Sequence, residues 1–109
     1  MGNDRLILSS YDDYTRLFDA LSHPMRIKIF GTLADERRYV SELAKLMNMS
    51  RPLLYMHLRK LEEAGIVEGC HEIMESGKAG KYYEAVPFSI ALSGGLLTEL
   101  AGGISVEKG

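Results

Sequence analysis

The stretch SRPLLYMHLRKLEEAG, residues 50–65, limits the possible fold more than any other part of the chain. Leu54, Leu58 and Leu61 recur at intervals of four and three, so they share one side of an α-helix and require a core beneath them. Ser50 is a helix-capping residue type. Pro52 is tolerated in a first turn, where its missing N–H would be unpaired anyway, and Gly65 suits a left-handed stop. The helix, read as residues 50–64, is therefore bounded at both ends. Its other side presents Arg51, Pro52, Tyr55, Met56 and Arg59, and Tyr and Met are odd choices for a face that meets only water.

The flanking segments restrict the topology further. Upstream, SSYDDYTRLFDALS carries Ser10 three residues before Asp13, a capping-box pattern, followed by Tyr11, Tyr14, Phe18 and Leu21 at helical spacing. This predicts a first helix over about residues 10–21. In HPMRIKIFGTLAD, Pro24 opens a second helix to about Ala34, with Ile27, Phe30 and Leu33 as its buried stripe. A polar turn then leads to an extended Tyr39-Val40, and Ser41 is placed to cap a short helix through ELAKLMN, with Glu42 favoured at its positive end. Asn48 and Met49 form a tight break. A short helix joined by a few residues to a longer one is a helix-turn-helix arrangement.

After Gly65 the hydrophobic period changes. IVEGCHEIM and KYYEAV are β-prone runs separated by ESGKAG, whose glycines and lysine suit an exposed hairpin tip, so residues 66–86 read as a wing bearing Lys78 and Lys81 at its tip. A last segment with Phe88, Ile90, Leu92, Leu96, Leu97 and Leu100 predicts a C-terminal helix over about residues 88–101, with Gly94-Gly95 as a point where it could split. The expected fold class is thus mainly α with a small β-hairpin. It is a single domain spanning 1–109, with the winged helix at about residues 24–86 between two further helices.

Composition bears on function chiefly through charge. The net charge of -2 argues against nucleic-acid binding when taken as a total. Its distribution argues the other way. Between His23 and Lys60 lie Arg26, Lys28, Arg37, Arg38, Lys45, Arg51, Arg59 and Lys60, against Asp35, Glu36 and Glu42. The single cysteine, Cys70, cannot form an internal disulfide, which fits a reducing cytoplasm. No secretory signal is visible, and the weakly charged tail contains four glycines and a central Glu99, which count against a membrane span. Phosphate-binding glycine loops, nucleophile elbows and His-Glu-x-x-His are absent, and the chain is read as a non-enzyme without a cofactor.

For the outward set two readings compete. Arg51 near a helix start can reach guanine O6 and N7 in a major groove, and Tyr55 can meet a phosphate, a base edge or a thymine methyl. The plainer alternative is solvated arginines and a methionine packed on a neighbouring loop. A lysine-bearing hairpin after the helix favours DNA, since its lysines can neutralise phosphates. Ser50 can cap the helix and also donate to a phosphate.

Three segments, LSHPMRIKIF, VSELAKLMNMSRPLLYMHLRKLEEAGIVE and GKAGKYYEAV, together resemble the winged-helix repressors of the ArsR family over about residues 15–86. The resemblance implies a DNA-binding regulator in which Ser50, Arg51, Tyr55, Met56 and His57 occupy recognition-helix positions, with His57 matching a backbone-contacting histidine. His57 also flanks the leucine stripe, so a partly buried, hydrogen-bonded side chain is its structural alternative. Metal-sensing members carry a Cys-x-Cys arrangement where this chain reads RRYVSELAKL, and Cys70-His71 are strand neighbours facing opposite ways, so no metal site is expected.

One winged helix contacts few bases, and proteins of this kind pair to place two recognition helices about 34–36 Å apart. The expected interface comprises Tyr11, Tyr14, Phe18 and Leu21 with Leu92, Leu96, Leu97 and Leu100, although these residues could simply cover the core of one chain. The expectation is a cytoplasmic homodimeric repressor on a pseudo-palindromic operator. Arg51 and Tyr55 would read bases, while Ser50, His57, Arg59, Lys78 and Lys81 would hold phosphate. Rival readings are a protein-interaction module using the Tyr55-Met56 face, and a sensor with an effector between the dimer helices.

Overall fold

The computed structural model describes residues 6–107. In chain order its elements are α1 (Tyr11–Ala20), α2 (Pro24–Asp35), β1 (Arg38–Tyr39), α3 (Val40–Met47), α4 (Arg51–Glu63), β2 (Val67–Ile73), β3 (Ala79–Ala85) and α5 (Gly94–Ala101). The strands form one antiparallel sheet in the order β1-β3-β2, with Gly69 opposite Tyr83 and His71 opposite Lys81 in the hairpin. The fold is a winged helix-turn-helix: α3 and α4 are the helix pair, and β2-β3 is the wing.

Leu54, Leu58 and Leu61 are fully buried, together with Leu17, Ile29, Leu43, Ile66 and Tyr83 from the surrounding elements. Burying each of these aliphatic side chains stabilises the fold by about 1.5–3 kcal/mol relative to leaving it in water. The helix ends follow the sequence closely. The Asp13 carboxylate accepts from the Ser9 and Ser10 N–H groups, which together hold its pKa below the ordinary value. Ser50 Oγ accepts from the Leu53 N–H at 3.3 Å. Gly65 stops α4 at φ +79°, and Asn48 breaks the chain between α3 and α4 at φ 52°.

Three local expectations are corrected. In α2 the buried stripe is Ile29 and Leu33, while Ile27 is 56% exposed, because two apolar stripes run along this helix and packing selects the one that joins the core. Ser41 does not cap α3. Arg38 and Tyr39 pair with β3, so the extended Tyr39 becomes the cap position, and the Glu42 carboxylate reaches back to its N–H at 3.2 Å. The last helix starts at Gly94, capped by Ser93 Oγ from the Leu96 N–H, so the glycine pair opens it rather than splitting it. Residues 87–93 form neither helix nor strand and pack on the body, with Phe88 meeting Phe30 edge to face at 5.5 Å. Among the described residues no helix is long and apolar enough to cross a membrane.

Candidate nucleic-acid interface

The two sides of α4 differ sharply. Opposite the leucine stripe, Arg51, Pro52, Tyr55, Met56 and Arg59 are all exposed, Met56 at 61% and Tyr55 at 36%. Among the described residues Arg51, Arg59 and Lys78 enter no ion pair, so their charge is available to a partner. Lys60, one position on, turns instead toward α1 and pairs with Asp19 at 3.5 Å. Ser50 is engaged as the helix cap and is exposed.

His57 does not join this set. It is 7% exposed, and its Nδ1 accepts from Arg26 Nε at 3.2 Å, while Arg26 Nη1 donates to the Asp19 carbonyl at 2.9 Å. The His23 ring lies 4.9 Å away. Burial, then the neighbouring His23 and Arg26, depress the His57 pKa below the ordinary imidazole value. An accepting Nδ1 places the proton of neutral His57 on Nε2. The residue is a buried tie between α1, α2 and α4, at the edge of the leucine stripe and not on the exposed face of α4. Sequence spacing could not separate the two roles, because position 57 sits at the edge of the leucine stripe.

The wing carries its two lysines in different settings. Lys78 lies in the exposed turn closed by the Met74 N–H donating to the Lys78 carbonyl at 2.8 Å and by Gly77 at φ +84°. Lys81 is not at the tip. It stands within β3, half-buried, with its Nζ 5.1 Å from the Tyr83 ring centre and 5.9 Å from that of Tyr55 on α4. A hydrogen bond with the Tyr83 side chain raises the Lys81 pKa. Arg51 and Tyr55 from α4 and Met74, Gly80 and Lys81 from the wing line a cleft of about 340 Å³.

Other residues brace this arrangement without having been singled out in the sequence. Arg37 lies over the Tyr82 ring at 4.2 Å and reaches Glu72 at 3.9 Å, and Glu72 accepts from the Tyr39 hydroxyl. These contacts fasten β1 to the hairpin. Among the described residues no three His, Cys, Asp or Glu side chains converge as a metal cage.

Away from the wing, Tyr11 and Tyr14 of α1 and Leu96 and Leu100 of α5 line one groove of about 570 Å³. All four are half-buried, as are Phe18 and Leu21, whereas Leu92 and Leu97 point outward at 62% and 51% exposure. The part of α1 that enters the core is Leu17 and Ala20.

Residues 21–70 match the model of a family described as helix-turn-helix domain. Over 88 residues, 81% of this chain and 92% of the relative, the chain is 36% identical to an uncharacterized HTH-type transcriptional regulator of Methanocaldococcus jannaschii. Among solved structures it is similar to the homodimeric winged helix-turn-helix DNA-binding domain of a possible ArsR-family transcriptional regulator of Mycobacterium bovis. The TM-score there is 0.63 at 26% identity, covering 71% of this chain and 67% of that one. The chain belongs to the ArsR-like helix-turn-helix transcriptional regulators.

Further similarities agree with this placement. The ArsR-like transcriptional regulator of Rhodococcus sp. RHA1 superposes with a TM-score of 0.60 at 27% identity, covering 84% of this chain and 73% of that one. The HTH-type transcriptional repressor SmtB of Mycobacterium tuberculosis is 40% identical over 53 residues, 49% of this chain and 39% of that protein. In this ArsR-like regulator the matched family segment runs from the end of α1 into β2, so it contains the helix pair and the exposed face of α4.

Proposed function

We propose that this regulator is a cytoplasmic homodimeric repressor that binds a pseudo-palindromic DNA site through α4 and the wing. The observation carrying this reading is the exposed row Arg51, Tyr55, Met56 and Arg59, backed by fully buried leucines and adjoining a lysine-bearing hairpin. Arg51, in the first turn, reads a guanine edge, and Tyr55 reads its neighbour. Pro52 and Met56 line the groove, while Ser50, Arg59 and Lys78 hold backbone phosphates. Local charge supports this despite the net -2, because the anionic side chains at Asp35, Glu36 and Glu42 are drawn toward Arg38, which lies within 3.5–3.9 Å of all three.

Pairing through α1 and α5 is supported by the outward Leu92 and Leu97 beside the Tyr11, Tyr14, Phe18, Leu21, Leu96 and Leu100 surface, and by the homodimeric state of the similar M. bovis domain. Repression is inferred from the similarity to SmtB. Selection of bound sequences from a random duplex pool tests the proposal as a whole. The expected result is enrichment of two inverted half-sites whose centres lie about 10–10.5 bp apart, or a multiple of that. A pool that stays random at physiological salt would reject DNA reading and favour a protein partner for the Tyr55-Met56 face.

A further inference from the structure

We infer that Lys81 is a positioning residue, which ties the wing to α4 and sets the orientation of Tyr55, rather than a ligand for phosphate. The inference rests on the proposal that Tyr55 reads a base. Register and packing carry it. Lys81 and Tyr83 are two apart on β3 and so share a face of the sheet. Opposite Tyr83 on β2 stands Gly69, and a Cβ there would lie 2.9 Å from Tyr83 Cε1 and 3.0 Å from Lys81 Cε. Only glycine leaves room for the ring and the lysine stem to lie across the strand. That course brings the ammonium between two tyrosines, 5.1 Å from the Tyr83 ring centre and 5.9 Å from the Tyr55 ring centre.

Tyr83 is 1% exposed, so the ammonium is held from the core side and presents its charge to the more exposed Tyr55 ring. A cation beside an aromatic face is attracted by the ring quadrupole, which favours one setting of the Tyr55 ring. Lys78, at the open turn of the same hairpin, has no such partner among the described residues and serves as the internal comparison.

Two measurements test this, one without DNA. In the free protein, Lys81→Met should shift the Tyr55 ring resonances while leaving those of Tyr11 and Tyr14 in place, and Lys81→Arg should restore them. Unmoved Tyr55 resonances would overturn the assignment. In binding to the selected site, Lys81→Met should leave the salt slope unchanged and flatten the base preference at the position that Tyr55→Ala also flattens. Lys78→Met should instead lower the slope by about one unit and keep every preference. A slope that falls by about one for Lys81→Met, with uniform weakening on all sequences, would make Lys81 an ordinary phosphate contact. Failure of the underlying reading shows separately, as a wild-type protein that enriches no sequence, and removes the assignment with it.

Discussion

At the scale of single residues, neighbouring positions on one helix do opposite work. Met56 is exposed on the side away from the leucine stripe, whereas His57, next in sequence, is buried at the edge of that stripe. Arg51→Ala should cost about 1–3 kcal/mol on the specific site and relax its sequence preference, measured by titration against the selected and a scrambled duplex. Equal loss on both duplexes would instead make Arg51 a phosphate contact. His57 predicts a pH effect on stability. Its pKa is depressed in the fold by burial, His23 and Arg26, so as pH falls below the ordinary imidazole value of about 6.5 the unfolded chain takes up the proton first. Stability attached to neutral His57 is thus present above that value and lost progressively below it. Urea midpoints measured between pH 7.5 and pH 5.5 should fall more steeply for the wild type than for His57→Gln, and equal slopes would show that His57 titrates as if unfolded.

Elements are held by their ends and edges. The boundaries of α4 were legible because cap, first-turn proline and stop glycine are local chemistry that operates before any packing: Ser50, Pro52 and Gly65 all sit where their residue types require. Gly65→Ala should destabilise the protein by about 1–2 kcal/mol in a thermal or urea melt, since a Cβ at positive φ meets the preceding carbonyl. It would also stand 3.0 Å from Leu6 Cδ1, so relaxation there is restricted. An unchanged midpoint would mean the turn readily adopts another geometry. The start of α3 was less legible. Ser41 is the better capping residue by type, but strand pairing of Arg38 and Tyr39 moves the boundary upstream, and that pairing depends on a strand more than 40 residues later. The last helix shows the same dependence. Phe88 and Ile90 have helical spacing relative to the leucines after them, yet the segment is not helical, and both side chains pack against the core, Phe88 on Phe30.

At the scale of the molecule, α1 and α5 line one groove, and of the two only α1 enters the core. Leu17 and Ala20 close the core from one side of α1, while Leu97 and Leu92 remain outward from the groove shared with α5. Sedimentation at micromolar concentration should therefore give a species of twice 12.2 kDa. Leu97→Glu should shift it toward the monomer and weaken operator binding by removing one of two half-site contacts. A wild-type monomer, or a Leu97→Glu dimer of unchanged affinity, would place the pairing surface elsewhere. Sequence alone determined the helix-turn-helix, the wing and the outward set Arg51, Tyr55, Met56 and Arg59, because periodicity, caps and turn residues act over a few positions. Only the tertiary structure decided that His57 ties three helices, that Ile29 rather than Ile27 enters the core, and that Lys81 lies against Tyr55 and Tyr83 instead of standing at the wing tip. In each case two faces were equally compatible with the local pattern. The choice between them was made by partners distant in sequence: Arg26 for His57, the shared core for Ile29, and the space above Gly69 for Lys81.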